Sequence, residues 1–164
     1  MQIQIAKATA SDIPVLVEIL TEATSYKLHH KDHSWGSRPF TPAEVGRNLS
    51  IGGTYKAVAG GEIVGTCELV WDDPEVWGKQ PPVAGYLHRL AVKQGWHGRD
   101  MGAQIIAWAA AEVKSQNRRF LRLDCDSRNL KLRNYYEQQD FFLVEVKLVS
   151  AHKKYLSSLY QLRV

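Results

Sequence analysis

The sequence predicts a mixed α/β fold built on one central sheet, and three observations carry that reading. Residues 55–58 and 63–71 are strand-like runs joined by Gly60-Gly61, a tight-turn signal, so an antiparallel hairpin is expected. Residues 86–92 are rich in apolar and aromatic side chains and lead through Gly95, Gly98 and Gly102 into an apolar stripe at Ile106, Ala109, Ala110 and Val113, the spacing of one buried helix face. A further strand-like run, 120–125, follows that helix. Two strands separated by a helical crossover are expected to lie parallel.

A chain of 164 residues fits one domain, taken here as 1–164, and can bury about two-thirds of its unfolded surface. With 45% hydrophobic and 23% charged residues it has the composition of a folded globular chain. No stretch approaches eighteen consecutive apolar residues and the first residues, Met-Gln-Ile-Gln-Ile-Ala-Lys, carry no secretory pattern, so a cytoplasmic location without membrane contact is expected. The net charge of +4 is spread along the chain rather than gathered in a basic run, which argues against nucleic acid and suits a polyanionic ligand. Cys67 and Cys125 lie in strand-like runs without metal-ligand spacing, so both should be buried, reduced thiols.

Ile3 and Ile5 alternate with Gln2 and Gln4, the pattern of a short first strand. Ser11 or Asp12 can cap the next helix, Pro14 suits its first turn, and Ile13, Leu16, Val17 and Leu20 form its apolar stripe. From 26 to 40 periodicity is lost, and the stretch reads as a polar loop with embedded aromatics; His29, Asp32 and His33 lack the third ligand and base of a helical zinc motif, so no metal is assigned. Thr41-Pro42-Ala43-Glu44 is a capping box that starts a second helix running to about residue 49. The segment 72–82, with Pro74, Pro81 and Pro82, reads as a surface loop. Trp71, Trp77 and Tyr86 cluster around it, either as packed aromatics or as the wall of an acceptor pocket. Asn129 can cap a helix from 130 to about 138, and two strands, 141–149 and 155–164, close the chain around a turn near Ala151.

The glycine loop delivers backbone N–H groups to a helix N-terminus, where four unpaired donors and about half a positive charge favour phosphate. No Gly-Lys-Ser/Thr ends it, and it comes mid-chain rather than after a first strand, which excludes the P-loop and dinucleotide fingerprints. Leu-Ala-Val, a short connector with Trp96, and then His97-Gly98-Arg99-Asp100-Met101-Gly102-Ala103 resemble motif A of the GNAT acyl-CoA N-acyltransferases, whose pattern is Arg/Gln-x-x-Gly-x-Gly/Ala. Asn129 followed by Tyr136-Glu137 and Phe141 is similar to the second marker of that family, and the element order agrees over nearly the whole chain. His97 and Asp100 depart from the first pattern, and Asp140 replaces the glycine of the second. Asp is among the few residues that tolerate a left-handed turn.

The resemblance implies the GNAT fold: a mixed sheet of six or seven strands flanked by about four helices. It implies acetyl-CoA as cofactor, held by Leu90, Ala91, Val92, His97, Gly98, Arg99, Asp100, Met101, Gly102, Ala103, Asn129 and Tyr136. It further implies transfer of the acetyl group to an amine of a small-molecule or peptide acceptor, an oxyanion held by a backbone N–H near residues 90–92, and Tyr136 as the acid that protonates the thiolate. Glu68 and His88 are the candidate bases; strand parity decides whether they, and Arg89, face the cleft, and a shift of one residue reverses the answer. A carboxylate at Asp100 opposes a diphosphate by about 1 kcal/mol in water and about 4 at a protein surface for charges about 4 Å apart, so weakened cofactor binding is expected. A catalytically silent CoA-binding module is the alternative function, and a homodimer through the C-terminal strands is the association the resemblance allows.

Overall fold

The computed structural model describes residues 2–149 and 155–164. Its elements are β1 (Gln4–Lys7), α1 (Ile13–His29), α2 (Pro42–Ile51), β2 (Thr54–Ala59), β3 (Glu62–Val70), α3 (Pro74–Trp77), β4 (Ala84–Val92), α4 (Met101–Ser115), β5 (Phe120–Asp126), α5 (Leu130–Gln138), β6 (Phe142–Leu148) and β7 (Leu156–Arg163). The strands form one seven-stranded sheet in the order β1-β2-β3-β4-β5-β7-β6. Every described pairing is antiparallel except β4 with β5, the pair joined by the α4 crossover. The expected mixed sheet and GNAT-type topology are therefore present, with five helices rather than about four.

Helix α1 continues to His29, nine residues past the last apolar position read from its stripe, because Thr24 is buried and bonds back to the Leu20 carbonyl at 2.8 Å, carrying the helix through a polar turn. The loop expected from residue 26 thus begins only after His29. Asp12 does not cap α1 with its side chain. It closes a box with Thr9 around a preceding 3-10 turn and pairs with Lys56 of β2 at 2.8 Å. The proline-rich segment 72–82 contains the extra helix, α3: Asp73 accepts from Val76 N and Pro74 occupies the first turn, where a missing N–H costs nothing. Thr41 caps α2 and Asn129 caps α5 as their sequences require. The turn expected near Ala151 falls outside the described residues.

The main core lies between α4 and the sheet. Met101, Ile105, Ile106, Ala109 and Val113 bury one face of α4 against Leu87 of β4 and Leu121 and Leu123 of β5. Full burial of each large aliphatic side chain contributes about 1.5–3 kcal/mol. Trp77 and Tyr86 pack edge to face at 6.1 Å in a separate cluster around Arg122, and Trp71 supports the main core. These aromatics are packing residues, which resolves the choice left open by their sequence.

Close approach of β4 to α4 depends on Gly85. A Cβ there would lie 2.5 Å from Val113 Cγ2 and 3.1 Å from the Trp71 ring. Gly85→Ala is expected to destabilise the fold by about 1–3 kcal/mol through overpacking, read as a lower urea midpoint with an unchanged slope.

Candidate active site

Strand β4 stays paired with β5 only from Ala84 to Tyr86, facing Phe120 to Arg122. On its other side, Glu68 faces His88 and Thr66 faces Ala91, so two residues of β4, Arg89 and Leu90, oppose Cys67 alone. This is a β-bulge, and Arg89 carries its strain with φ at 48°, rare for a non-glycine residue. The bulge bends β4 away from β5, and a cavity of about 920 Å³ occupies the opening.

The cavity gathers most of the residues read from the sequence. Leu90, Ala91 and Val92 line it from β4, and His97, Gly98, Asp100, Met101, Gly102 and Ala103 line it from the loop and the first turn of α4. Asn129 and Tyr136 face it from α5, and Glu68 and His88 from the bulged strands. Because Glu68 and His88 are register partners, strand parity puts both on the cleft face while Leu69 and Leu87 point into the core. Arg99 is the exception: its guanidinium stacks 4.9 Å over Trp96, and it is not among the lining residues.

The loop from 93 to 100 is held by contacts that bend its backbone toward the cavity. Gln94 N donates to Glu22 at 3.1 Å, and Lys93 pairs with Glu62 at 2.9 Å. His97 Nε2 lies 2.8 Å from the Val92 carbonyl, so that nitrogen carries the hydrogen and closes the loop onto the end of β4. Gly98 and Asp100 both have positive φ, 74° and 58°. Asp100 therefore adopts the left-handed turn for which the family pattern has glycine, and Asp140 does the same at φ 62° after α5. No side chain caps α4, unlike α2, α3 and α5. Its first-turn N–H groups stand open beside the cavity, and this cradle of donors and positive-φ turns fits a diphosphate.

At the bulge, His88 Nε2 lies 3.1 Å from Asp73 Oδ2, and Arg89 pairs with Glu68 at 2.9 Å while its guanidinium covers Phe40 at 5.4 Å. Burial favours neutral His88, but Asp73, with Asp124 and Glu68 adding their charges, outweighs it and raises the imidazole above its ordinary value. Tyr136 is nearly fully buried among Tyr135, Phe141 and Tyr160, and burial first, then neighbouring acids, pushes its hydroxyl well up, so it is a neutral phenol at physiological pH. Burial likewise pushes the thiols of Cys67 and Cys125 up to about 12, which leaves them as protonated packing groups.

Asp73 and Tyr135 line the cavity and were passed over by the sequence reading, whereas Asp32, weighed there only as a metal ligand, has a structural role beside it. Asp73 had a visible signal, a capping Asp before proline. Asp32 is buried and takes hydrogen bonds from Lys27 of α1 at 2.7 Å, Ser34 N at 3.0 Å and Asn129 Nδ2 of α5 at 2.7 Å. It is a tie between the α1–α2 loop and α5, already saturated by these partners, and no group of three metal-ligating side chains occurs among the described residues.

The Acetyltransferase (GNAT) family matches residues 16–141, and the chain belongs to it. Members of this family use acetyl-CoA. An uncharacterized N-acetyltransferase, YesJ of Bacillus subtilis (strain 168), is 32% identical over 56 residues, a match covering 34% of this chain and 31% of that one. Among solved structures, a GNAT acetyltransferase from Streptococcus agalactiae superposes with a TM-score of 0.81 at 13% identity, covering 99% of this chain and 95% of its own. A ribosomal-protein-alanine N-acetyltransferase from Brucella melitensis gives 0.76 at 16% identity, covering 98% and 99%. The yncA protein of Salmonella typhimurium, solved with acetyl-CoA, gives 0.73 at 13% identity, covering 99% and 94%. At these identities the structures establish the shared fold. No described helix is long and apolar enough to cross a membrane.

Burial raises the Asp32 carboxyl, but the Lys27, Ser34 and Asn129 hydrogen bonds outweigh it and hold the group down at about 2. A depressed carboxylate stabilises the fold above its unfolded pKa and loses that contribution as pH falls through its folded value. Asp32→Asn is therefore expected to cost about 3 kcal/mol at neutral pH by stranding Lys27. The gap to wild type in urea midpoint should close as pH falls from about 4 to about 2.

Proposed function

We propose that the protein transfers the acetyl group of acetyl-CoA to a primary amine of a small-molecule or peptide acceptor by direct attack on the thioester. The observation that supports this best is that one cavity takes in the uncapped α4 terminus, the unpaired stretch of β4 and the His88–Asp73 pair. Bound acetyl-CoA supplies the activated acyl carbon. Main-chain donors of Gly98 to Ala103 would hold its diphosphate, and a backbone N–H of residues 90–92 would stabilise the oxyanion. Losing such a donor costs about a hundredfold to a thousandfold in rate.

An alkyl amine with a pKa near 10.4 is neutral in only about one molecule per thousand near pH 7, so the site must accept its proton. His88 is the stronger of the two candidate bases, because Asp73 raises it toward working pH while Glu68 is engaged with Arg89. Glu68, Asp73, Glu75 and Asp124 outnumber the basic His88 and Arg89 around this part of the cavity, a field that favours an ammonium-bearing acceptor. As nitrogen bonds to the acyl carbon and the carbon–sulfur bond breaks, His88 takes the proton from nitrogen and Tyr136 gives one to the departing thiolate.

The carboxylate of Asp100 inside the cradle favours a second reading, a CoA-binding module without turnover. Release of free thiol on mixing acetyl-CoA with a panel of amines supports the enzyme; thermal stabilisation by CoA without thiol release supports the binder. With an accepted amine, Tyr136→Phe should lower kcat by roughly a hundredfold with little change in KM, the low end for proton transfer because a thiolate leaves readily.

His88 must be neutral to accept a proton, so kcat/KM should rise with pH through a value above 6.5. Removing the Asp73 charge lowers the imidazole pKa. Asp73→Asn is expected to move that acidic limb toward lower pH with the same amine; a limb that stays in place would assign the base elsewhere.

A further inference from the structure

Tyr135 lies on α5 beside Tyr136, half-buried, and it lines the cavity from the side of the α4 terminus. Its hydroxyl sits directly on the first turn of that helix: a Cβ built on Gly102 would lie 2.6 Å from Tyr135 Oη and 3.5 Å from Cζ. Gly102 is thus the residue whose missing side chain admits this hydroxyl. Burial, then the charge of Asp100, pushes the Tyr135 phenol above its ordinary value, so it carries its proton throughout the working range. The ring of Tyr135 packs against that of Tyr136, with centroids 5.7 Å apart.

Resting on the acetyl-CoA reading above, we propose that the Tyr135 hydroxyl is an additional hydrogen-bond donor to the cofactor diphosphate, placed against Gly102 in the first turn of α4. It adds a side-chain donor to a cradle otherwise made of backbone N–H groups. The need for it follows from Asp100: the left-handed turn is kept, but a carboxylate has entered the rim of an anion site and its repulsion must be offset. A neutral phenol does so without adding a charge of its own, and its rigid ring, fixed between α5 and Gly102, spends little entropy on the bond.

Titration calorimetry of CoA with wild type and Tyr135→Phe tests this, because the substitution keeps the ring and removes only the donor. Pantetheine, which has the thiol arm without the diphosphate, serves as the control, measured by its competition with acetyl-CoA. A hydrogen bond to a charged group predicts that the Kd for CoA rises by about tenfold or more, with the pantetheine constant unchanged within about twofold. A CoA affinity equal to wild type, or an equal loss for both ligands, would overturn the assignment of Tyr135. Wild-type protein that takes up no CoA would overturn the acetyl-CoA reading instead.

Discussion

The site depends on β4 being able to leave β5 while staying in the sheet. Parallel strands normally run side by side along their length, yet here the pairing ends at Tyr86 because the Arg89 bulge turns the strand outward. The bulge is stabilised on its flanks. Glu68 holds the Arg89 side chain, Phe40 covers it, and Lys93 returns to register through its bond to the Val64 carbonyl. Had the two strands stayed zipped, their main-chain groups would be bonded to each other and there would be no cleft between them.

Around this opening the chain distributes its polar groups by function. The starts of α2, α3 and α5 are closed by Thr41, Asp73 and Asn129, whereas α4, which opens on the cavity, is left without a side-chain cap. Its loop departs from the common pattern of its family at His97 and Asp100. His97 donates to the end of β4, and Asp100 adopts the left-handed turn at the position where the pattern has glycine. What Asp100 changes is charge, and the consequence falls on neighbouring donors rather than on the backbone.

Much of this was legible in the sequence because it depends on local rules. The apolar stripe of α4, the Gly60-Gly61 hairpin, the Thr41 and Asn129 caps and the Asp140 turn each follow from a few adjacent residues. The bulge was not legible, since Arg has no preference for a left-handed conformation and the register that creates it is set by β3 across the sheet. The full length of α1 was hidden by its polar third and fourth turns, which are held by tertiary burial of Thr24. Asp73 and Asp32 acquire their roles only through partners 15 and 97 residues away, His88 and Asn129. Family resemblance supplied the remaining assignments, and the structure collects nearly all of those residues around one cavity.

The Asp32 tie has a consequence for how such an enzyme can diversify. One carboxylate fastens the start of the 30–41 connection to the cap of α5, while Trp35 and Phe40, further along, meet each other edge to face at 6.1 Å and reach the cavity. The fastening point and the cavity rim are thus separate stretches of one connection. Residues after Ser34 can therefore vary along the cavity rim while the post behind them keeps the helix bearing Tyr136 in alignment.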